Sequence, residues 1–154
     1  MQIEVDKIGI PNFFFLPLCV SLLVVSCQPK GWVVCNTLSD YPQFNSAQML
    51  HTPDNSFNGI EIQLLRGSFG IVGYLNVCSM CIPSNTVIFY IAGTQYQFTG
   101  VVLEGGQRLL LPSEATEKLI QALLSRCTVD IYLEGFQTKV LPYNFAVKYV
   151  QFID

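Results

Sequence analysis

An uncharged apolar run near the amino terminus is the feature that most constrains what this chain can fold into. Residues 13–25 read FFFLPLCVSLLVV and contain no charged side chain. A helix that crosses a bilayer needs about 20 apolar residues, and Pro17 interrupts this shorter run. The length is instead typical of the hydrophobic region of a secretory signal. The folded part of the protein must then come from the residues that follow.

The residues that end this run resemble the lipobox of bacterial lipoproteins. They read Val24-Val25-Ser26-Cys27, which is two aliphatic residues, a small residue and a cysteine. In that family the cysteine thiol receives a diacylglycerol, and the signal is removed just before it. The resemblance implies a signal peptide over 1–26 and lipidation at Cys27, so the membrane of the bacterial cell envelope is the expected partner. Gln28 is not aspartate, which favours the outer membrane over retention at the inner one.

Other interpretations of the amino terminus stay open. The residues before the run include Lys7 but also Glu4 and Asp6, whereas a signal usually starts with net positive charge. The alternatives are an uncleaved hydrophobic anchor, an ordinary secretory signal, or a core strand of a soluble protein.

Composition indicates a packed globular domain and excludes nucleic acid as a partner. The chain has 154 residues, of which 51% are hydrophobic and 12% charged, and a net charge of −3. That length suits one domain. No segment concentrates lysine or arginine, so the positive surface that nucleic-acid binding requires is missing.

The expected organisation is a signal peptide over 1–26, a lipid-anchored tether and irregular segment over 27–58, and a β-rich α+β domain over 59–154. Asparagine, serine, aspartate and proline are frequent in 36–59. This composition predicts loop, with a short helical turn near Ser46–Leu50.

Alternating apolar and polar residues predict antiparallel strands from Ile60 onward. The hairpin turns are predicted at Ala92-Gly93-Thr94 and at Glu134-Gly135. The predicted strands cover 60–65, 67–77, 85–92, 94–102, 129–133, 136–141 and 145–152. The fold class is therefore α+β, mainly an antiparallel sheet or sandwich with one helix.

That single amphipathic helix is predicted at about 113–126. Ser113 is expected to cap its amino terminus, and Arg126 is expected to complement the negative end of its dipole. One stripe of the helix is apolar and should face the sheet. Residues 85–135 have an order of elements that weakly resembles the invasion-associated locus B family of secreted bacterial proteins: a TVIFYIAGTQYQF hairpin, GGQRLLLP, the ATEKLIQALL helix and a TVDIYL strand. The resemblance assigns no residue a role.

Four cysteines remain after lipidation of Cys27, and an even number in an exported domain predicts two disulfides with three possible pairings. They are Cys35, Cys78, Cys81 and Cys127. Free buried thiols are the other structural interpretation.

Cys78 and Cys81 form a C-x-x-C pair, which is also the pattern of a redox dithiol or of half a zinc site. No second such pair exists, and His51 is the only histidine. No helix is predicted to start after the pair. A periplasmic thiol-disulfide oxidoreductase is therefore the alternative, and structural cysteines are favoured.

No catalytic residue, metal site or cofactor is predicted. His51 lies in a polar stretch without a marked nucleophile, so a solvated loop histidine is expected. Aromatic residues crowd one hairpin, and alternation should turn some of them outward as a patch for a partner. They are Phe89, Tyr90, Tyr96 and Phe98. The sequence thus predicts a membrane-anchored envelope lipoprotein with a binding or structural role, not an enzyme, with an envelope protein as its candidate partner.

Overall fold

Two antiparallel sheets and two helices make up the fold in a computed structural model that describes residues 31–38, 40–41, 45–55, 57–78 and 81–154. The predicted signal and Cys27 lie outside the described residues. The strands are β1 Trp32–Thr37, β2 Ser46–His51, β3 Ile60–Gly67, β4 Gly70–Val77, β5 Thr86–Ile91, β6 Thr94–Thr99, β7 Val101–Val102, β8 Arg108–Leu110, β9 Val129–Leu133 and β10 Phe136–Val140. The helices are α1 Ser113–Leu124 and α2 Phe145–Ile153. The α+β prediction is confirmed.

The strands divide into a six-stranded sheet, called sheet A, and a four-stranded sheet, called sheet B. Sheet A has the order β1-β2-β3-β4-β8-β7, and sheet B has the order β10-β9-β5-β6. Both predicted hairpins are confirmed by the pairs Ile91↔Thr94 and Leu133↔Phe136, although the first turn is Ala92-Gly93 alone and Thr94 already belongs to β6. Ala92 and Gly93 both have positive φ, which is the backbone of a type I′ turn and matches the twist of the strands.

The helical turn predicted near Ser46–Leu50 is wrong, because these residues belong to β2. The irregular segment predicted over 27–58 also contains β1, and both strands join β3 in sheet A. Every second residue of β2 is buried, namely Ala47, Met49 and His51. Because histidine is a polar residue type, the alternation of buried and exposed residues in β2 is not apparent from the sequence.

The strand predicted over 145–152 is also wrong, because this segment forms α2. Its β-branched and aromatic residues favour a strand by composition. However, Phe145, Tyr149 and Phe152 are four and three residues apart, which places them on one face of a helix. Phe145 and Phe152 are fully buried, and α2 packs on β1 and β2. Tertiary packing therefore makes this segment a helix, although its composition favours a strand.

The predicted helix α1 is present, but its ends differ from expectation. Pro112 occupies the N-cap position and no side chain caps the helix, so Ser113 is the first helical residue. Arg126 lies beyond the last turn with a φ of 60°. The N–H of Arg126 donates to the Leu123 carbonyl at 3.1 Å, and the N–H of Cys127 donates to the Ala122 carbonyl at 2.9 Å. These two bonds form a Schellman motif, in which arginine occupies the left-handed position that glycine usually takes.

The helices cover the inner face of sheet A, and Gly73 sets how closely α1 approaches it. A Cβ atom at Gly73 would lie 2.7 Å from the Thr116 hydroxyl oxygen, so only glycine allows this contact between β4 and α1. α1 also contacts β9 of sheet B. The helix therefore packs against both sheets and joins their cores. Within the described part of the chain, no helix is long and apolar enough to span a membrane.

Candidate functional site

The four cysteines of the predicted disulfides are all free thiols in the structure. Cys35 lies on the edge strand β1, Cys78 follows β4, Cys81 lies before β5 and Cys127 follows α1. The first three are exposed and Cys127 is half-buried. The interpretation as buried free thiols is therefore wrong for three of them, whereas disulfide formation in the exported protein stays a prediction. No cluster of three potential metal ligands occurs among the described residues.

The C-x-x-C pair is followed by an extended loop and not by a helix. Residues 81–85 are non-helical and β5 begins at Thr86. The N–H of Ile82 donates to the Gly106 carbonyl at 2.6 Å, which ties this loop to the turn between β7 and β8. The pair therefore lacks the helix amino terminus that commonly lowers the pKa of a reactive thiol.

We expect Cys78→Ser to leave thiol–disulfide exchange at the background rate of a free thiol, because no helix that could activate the sulfur begins in the described residues 81–85. Insulin reduction and exchange with a glutathione couple measure this, with Cys35→Ser as the matched control for another exposed cysteine. Turnover well above background that is lost in Cys78→Ser and kept in Cys35→Ser would instead establish an oxidoreductase.

His51 is buried at the end of β2, so its expected role as a solvated loop residue is wrong. Its ring lies 5.2 Å from the Trp32 ring, centroid to centroid, and the two residues are paired across β1 and β2. Desolvation by burial lowers the pKa of His51 below its ordinary value of 6.5, against smaller opposing effects of Asp54 and of a backbone hydrogen bond. Because His51 is buried and its pKa is lowered, it is poorly placed to accept a proton from a molecule at the surface.

Acidification should therefore destabilise the domain through His51. Because the folded pKa is below the unfolded one, the unfolded chain binds a proton that the folded chain resists. The free energy of unfolding should be highest above about pH 6.5 and fall as the pH drops below that value towards the folded pKa. Urea unfolding measured from about pH 7.5 to about pH 5.5 tests this in the range where histidine titrates.

His51→Gln is the control for that pH dependence. The chain has one histidine, so the difference between the two pH profiles isolates its contribution. The wild-type profile should decline on acidification and the glutamine profile should be flatter. Parallel profiles would contradict the assignment.

The outer face of sheet A carries a polar network that the sequence did not reveal. Arg108 donates from Nη2 to the Gln63 side-chain oxygen, and its guanidinium lies 3.9 Å from the centre of the Tyr74 ring. Asn76 donates from Nδ2 to Glu61 Oε1 at 2.9 Å. These contacts join β3, β4 and β8 across the sheet. Arg108 Nε is buried without a hydrogen-bond partner among the described residues, so the guanidinium is held through Nη2 and the Tyr74 ring.

The aromatic residues of the β5–β6 hairpin separate as alternation predicts. Phe89 and Phe98 are buried and their ring centroids are 5.2 Å apart. Tyr90 points outward, and its hydroxyl donates to Gln95 Oε1 at 2.8 Å. Tyr96 is half-buried beneath the ammonium of Lys118, which lies 4.7 Å from the ring centre.

Tyr90 meets Tyr132 of β9 on the outer face of sheet B, edge to face, with centroids 5.4 Å apart. Of this pair, Tyr132 lines two adjoining depressions of about 490 and 420 Å³, which share Asn58, Tyr132 and Gln137. Together they are called the Tyr132 groove. Its first part is the more apolar and includes Ile88.

The second part of the Tyr132 groove is polar and charged. Asp54, Asp130 and Lys139 line it, and Lys139 Nζ lies 3.8 Å from Asp130 Oδ1. The groove is closed at one side where the Gln137 N–H donates to the Asn58 carbonyl at 2.9 Å. Among the described residues, neither part is lined by a cysteine or a histidine. Tyrosine, amide and carboxylate side chains around an apolar floor suit non-covalent binding of a polar ligand.

Sequence reasoning located part of this surface and missed the rest. It predicted an outward aromatic patch on the β5–β6 hairpin, but Tyr132 and Gln137 come from β9 and β10, and Asn58 from a loop before β3. The alternation of β9, with Asp130 and Tyr132 out of the core, is the signal that could have added them.

Comparison of the chain with protein-family models, with curated proteins and with solved structures found no match. The resemblances to lipoproteins and to the invasion-associated locus B family therefore stay predictions. The function of this protein is therefore inferred from its own residues.

Proposed function

We propose that this chain is a lipid-anchored protein of the bacterial cell envelope whose folded domain has a binding role. The observation that carries the proposal is the sequence Val24-Val25-Ser26-Cys27 at the end of a thirteen-residue apolar run. A thiol at this position is the nucleophile that forms a thioether with diacylglycerol. Attachment through more than one acyl chain then gives a stable anchor, because each buried CH₂ contributes about 0.8 kcal/mol.

The distance between the anchor and the fold supports this proposal. Cys27 is five residues before Trp32, the first residue of β1. Five peptide steps span at most about 18 Å, whatever their conformation. A domain tethered this closely would remain at the membrane surface, where an envelope partner can reach it.

The Tyr132 groove is the surface that we assign to binding. It is open, it combines Tyr132 with amide and carboxylate groups, and its described lining includes no cysteine or histidine nucleophile. Exposed tyrosine is enriched where proteins meet partners. An exposed segment of an envelope protein, which offers both peptide groups and apolar side chains, fits this lining.

The intact mass of the protein extracted from its native membrane tests the anchored state. We expect a polypeptide that starts at Cys27 and carries diacylglycerol together with an amide-linked acyl chain. Each disulfide would lower the mass by about 2 Da relative to the reduced protein, so the same spectrum tests the predicted pairing of cysteines. An unmodified polypeptide, or one that retains residues 1–26, would contradict the proposal.

A further inference from the structure

The outer side of α2 is apolar and exposed, which a helix on the surface of a soluble domain usually is not. Only Lys148 and Gln151 are polar among its nine residues. The inner side is buried against sheet A, but Val147 is 65% exposed and Val150 is 54% exposed. The exposed apolar set, called the α2 outer face, consists of Tyr143, Val147, Val150 and Ile153. A contiguous surface of this kind indicates a covering partner.

The chain enters the fold beside the first turn of α2. The Trp32 N–H donates to Asn144 Oδ1 at 3.1 Å, and Asn144 Nδ2 donates to the Trp32 carbonyl at 3.2 Å. Asn144 is the N-cap residue of α2. The point from which the chain leads back to Cys27 is therefore fixed at one end of the α2 outer face.

The lengths involved bring this face within reach of the anchor. A helix of nine residues is about 13.5 Å long, and the five peptide steps from Cys27 to Trp32 span at most about 18 Å. Because the helix is shorter than the tether, an acylated Cys27 would leave the whole of α2 free to reach the lipid surface.

Chemistry at the edges of α2 fits the boundary between headgroups and acyl chains. Tyr143 offers an aromatic ring with a polar tip, which is enriched at membrane interfaces. Lys148 lies at the side of the helix and donates to Gln151 Oε1 at 3.0 Å. Arg66 donates from Nη1 to the carbonyl of Ile153 at 2.6 Å, so a second cation lies at the carboxyl end. Both cations suit anionic lipid headgroups.

We propose that the α2 outer face lies on the bilayer to which Cys27 is attached, so that the domain is oriented on the membrane and not merely tethered to it. This inference rests on the proposed lipid anchor. Val147 and Val150 enter the boundary between headgroups and acyl chains, as the apolar side of an interfacial helix does.

Photo-crosslinking of the full chain in its native membrane tests the orientation. A benzophenone side chain replaces Val147 or Val150 in turn, and Val101 provides the matched control. Val101 is also an exposed valine, at 58%, but it lies on β7 at the opposite edge of sheet A from β1. Five strand spacings separate those edges by about 24 Å. We expect phospholipid adducts from positions 147 and 150, several-fold more abundant than from position 101.

A fatty-acid label in the same cells separates failure of this inference from failure of the lipid anchor. Labelled protein without lipid adducts at 147 and 150 would overturn the orientation and leave the anchor intact. A crosslinked dimer, an adduct with another protein, or an adduct with residues 13–25 would overturn it too, because each identifies a different occupant of the face. Unlabelled protein would overturn both proposals, since the distance argument starts from an acylated Cys27.

Discussion

The Cys27→Ala protein is expected to take up no fatty-acid label and to leave the membrane fraction. Alanine has no thiol, so the thioether to diacylglycerol cannot form. Once the acyl chains and the signal over 1–26 are both absent, the α2 outer face is the remaining candidate for contact with lipid, and single interfacial elements bind reversibly. Metabolic labelling with a fatty-acid analogue, followed by fractionation of the cells, measures both effects.

Cys35→Ala is the matched control for that experiment. Cys35 is another exposed cysteine, eight residues further along, but it lies within β1 and not at the end of the apolar run. Its replacement should leave labelling and membrane association unchanged. If Cys27→Ala protein still carried label and sedimented with membranes, the lipoprotein proposal would be wrong.

Phe145→Ala is expected to reduce the free energy of unfolding by about 3–5 kcal/mol, the range for truncation of a buried aromatic residue. Phe145, the first residue of α2, is fully buried, and its ring lies 5.0 Å from the Trp32 ring. Alanine would leave a cavity between α2 and β1 and also remove the stacking with Tyr149. Urea unfolding followed by fluorescence measures the loss, because Trp32 is the only tryptophan in the chain.

The control substitution is Phe69→Ala in the turn between β3 and β4. Phe69 is fully exposed, so its replacement should change stability by no more than about 0.5 kcal/mol. Equal unfolding midpoints for the two variants would show that α2 is not seated on Trp32 as the structure has it.

The sequence predicted those parts of the fold in which local pattern and tertiary packing agree. Ile60, Ile62 and Leu64 alternate and are all fully buried in β3. Gly93 and Gly135 lie in the two predicted hairpin turns, and both have positive φ. The predicted apolar stripe of α1 is buried at Ala115, Leu119, Ile120 and Leu123, whereas its last member, Leu124, is exposed.

The predictions are wrong where a residue type is not typical of its environment in the fold. His51 is a polar residue, yet it completes the inward series of β2 because Trp32 covers it from the neighbouring strand. Val147 and Val150 favour a strand, but Phe145 and Phe152 have a site on sheet A only if the segment is helical. No local rule contains that information.

Around the candidate site, the sequence predicted only the outward aromatic residues of the β5–β6 hairpin. The Tyr132 groove combines residues from β5, β9, β10 and the loop before β3, which meet through strand order. Sequence alternation assigns a residue to a face of a sheet. It does not say which strands are neighbours, so Tyr90 could be placed outward without showing that Tyr132 lies against it.

The contact between Asn144 and Trp32 has a mechanical consequence for a tethered protein. A pull on the proposed anchor would first be transmitted to Trp32, which starts the edge strand β1. An edge strand resists peeling poorly, because its pairs with the neighbouring strand break one at a time. Here both backbone groups of Trp32 are also held by the Asn144 amide, and its ring is enclosed by His51 and Phe145. Force therefore reaches the carboxyl-terminal helix at the same moment as the first strand. To detach β1, such a force would have to unseat α2 as well.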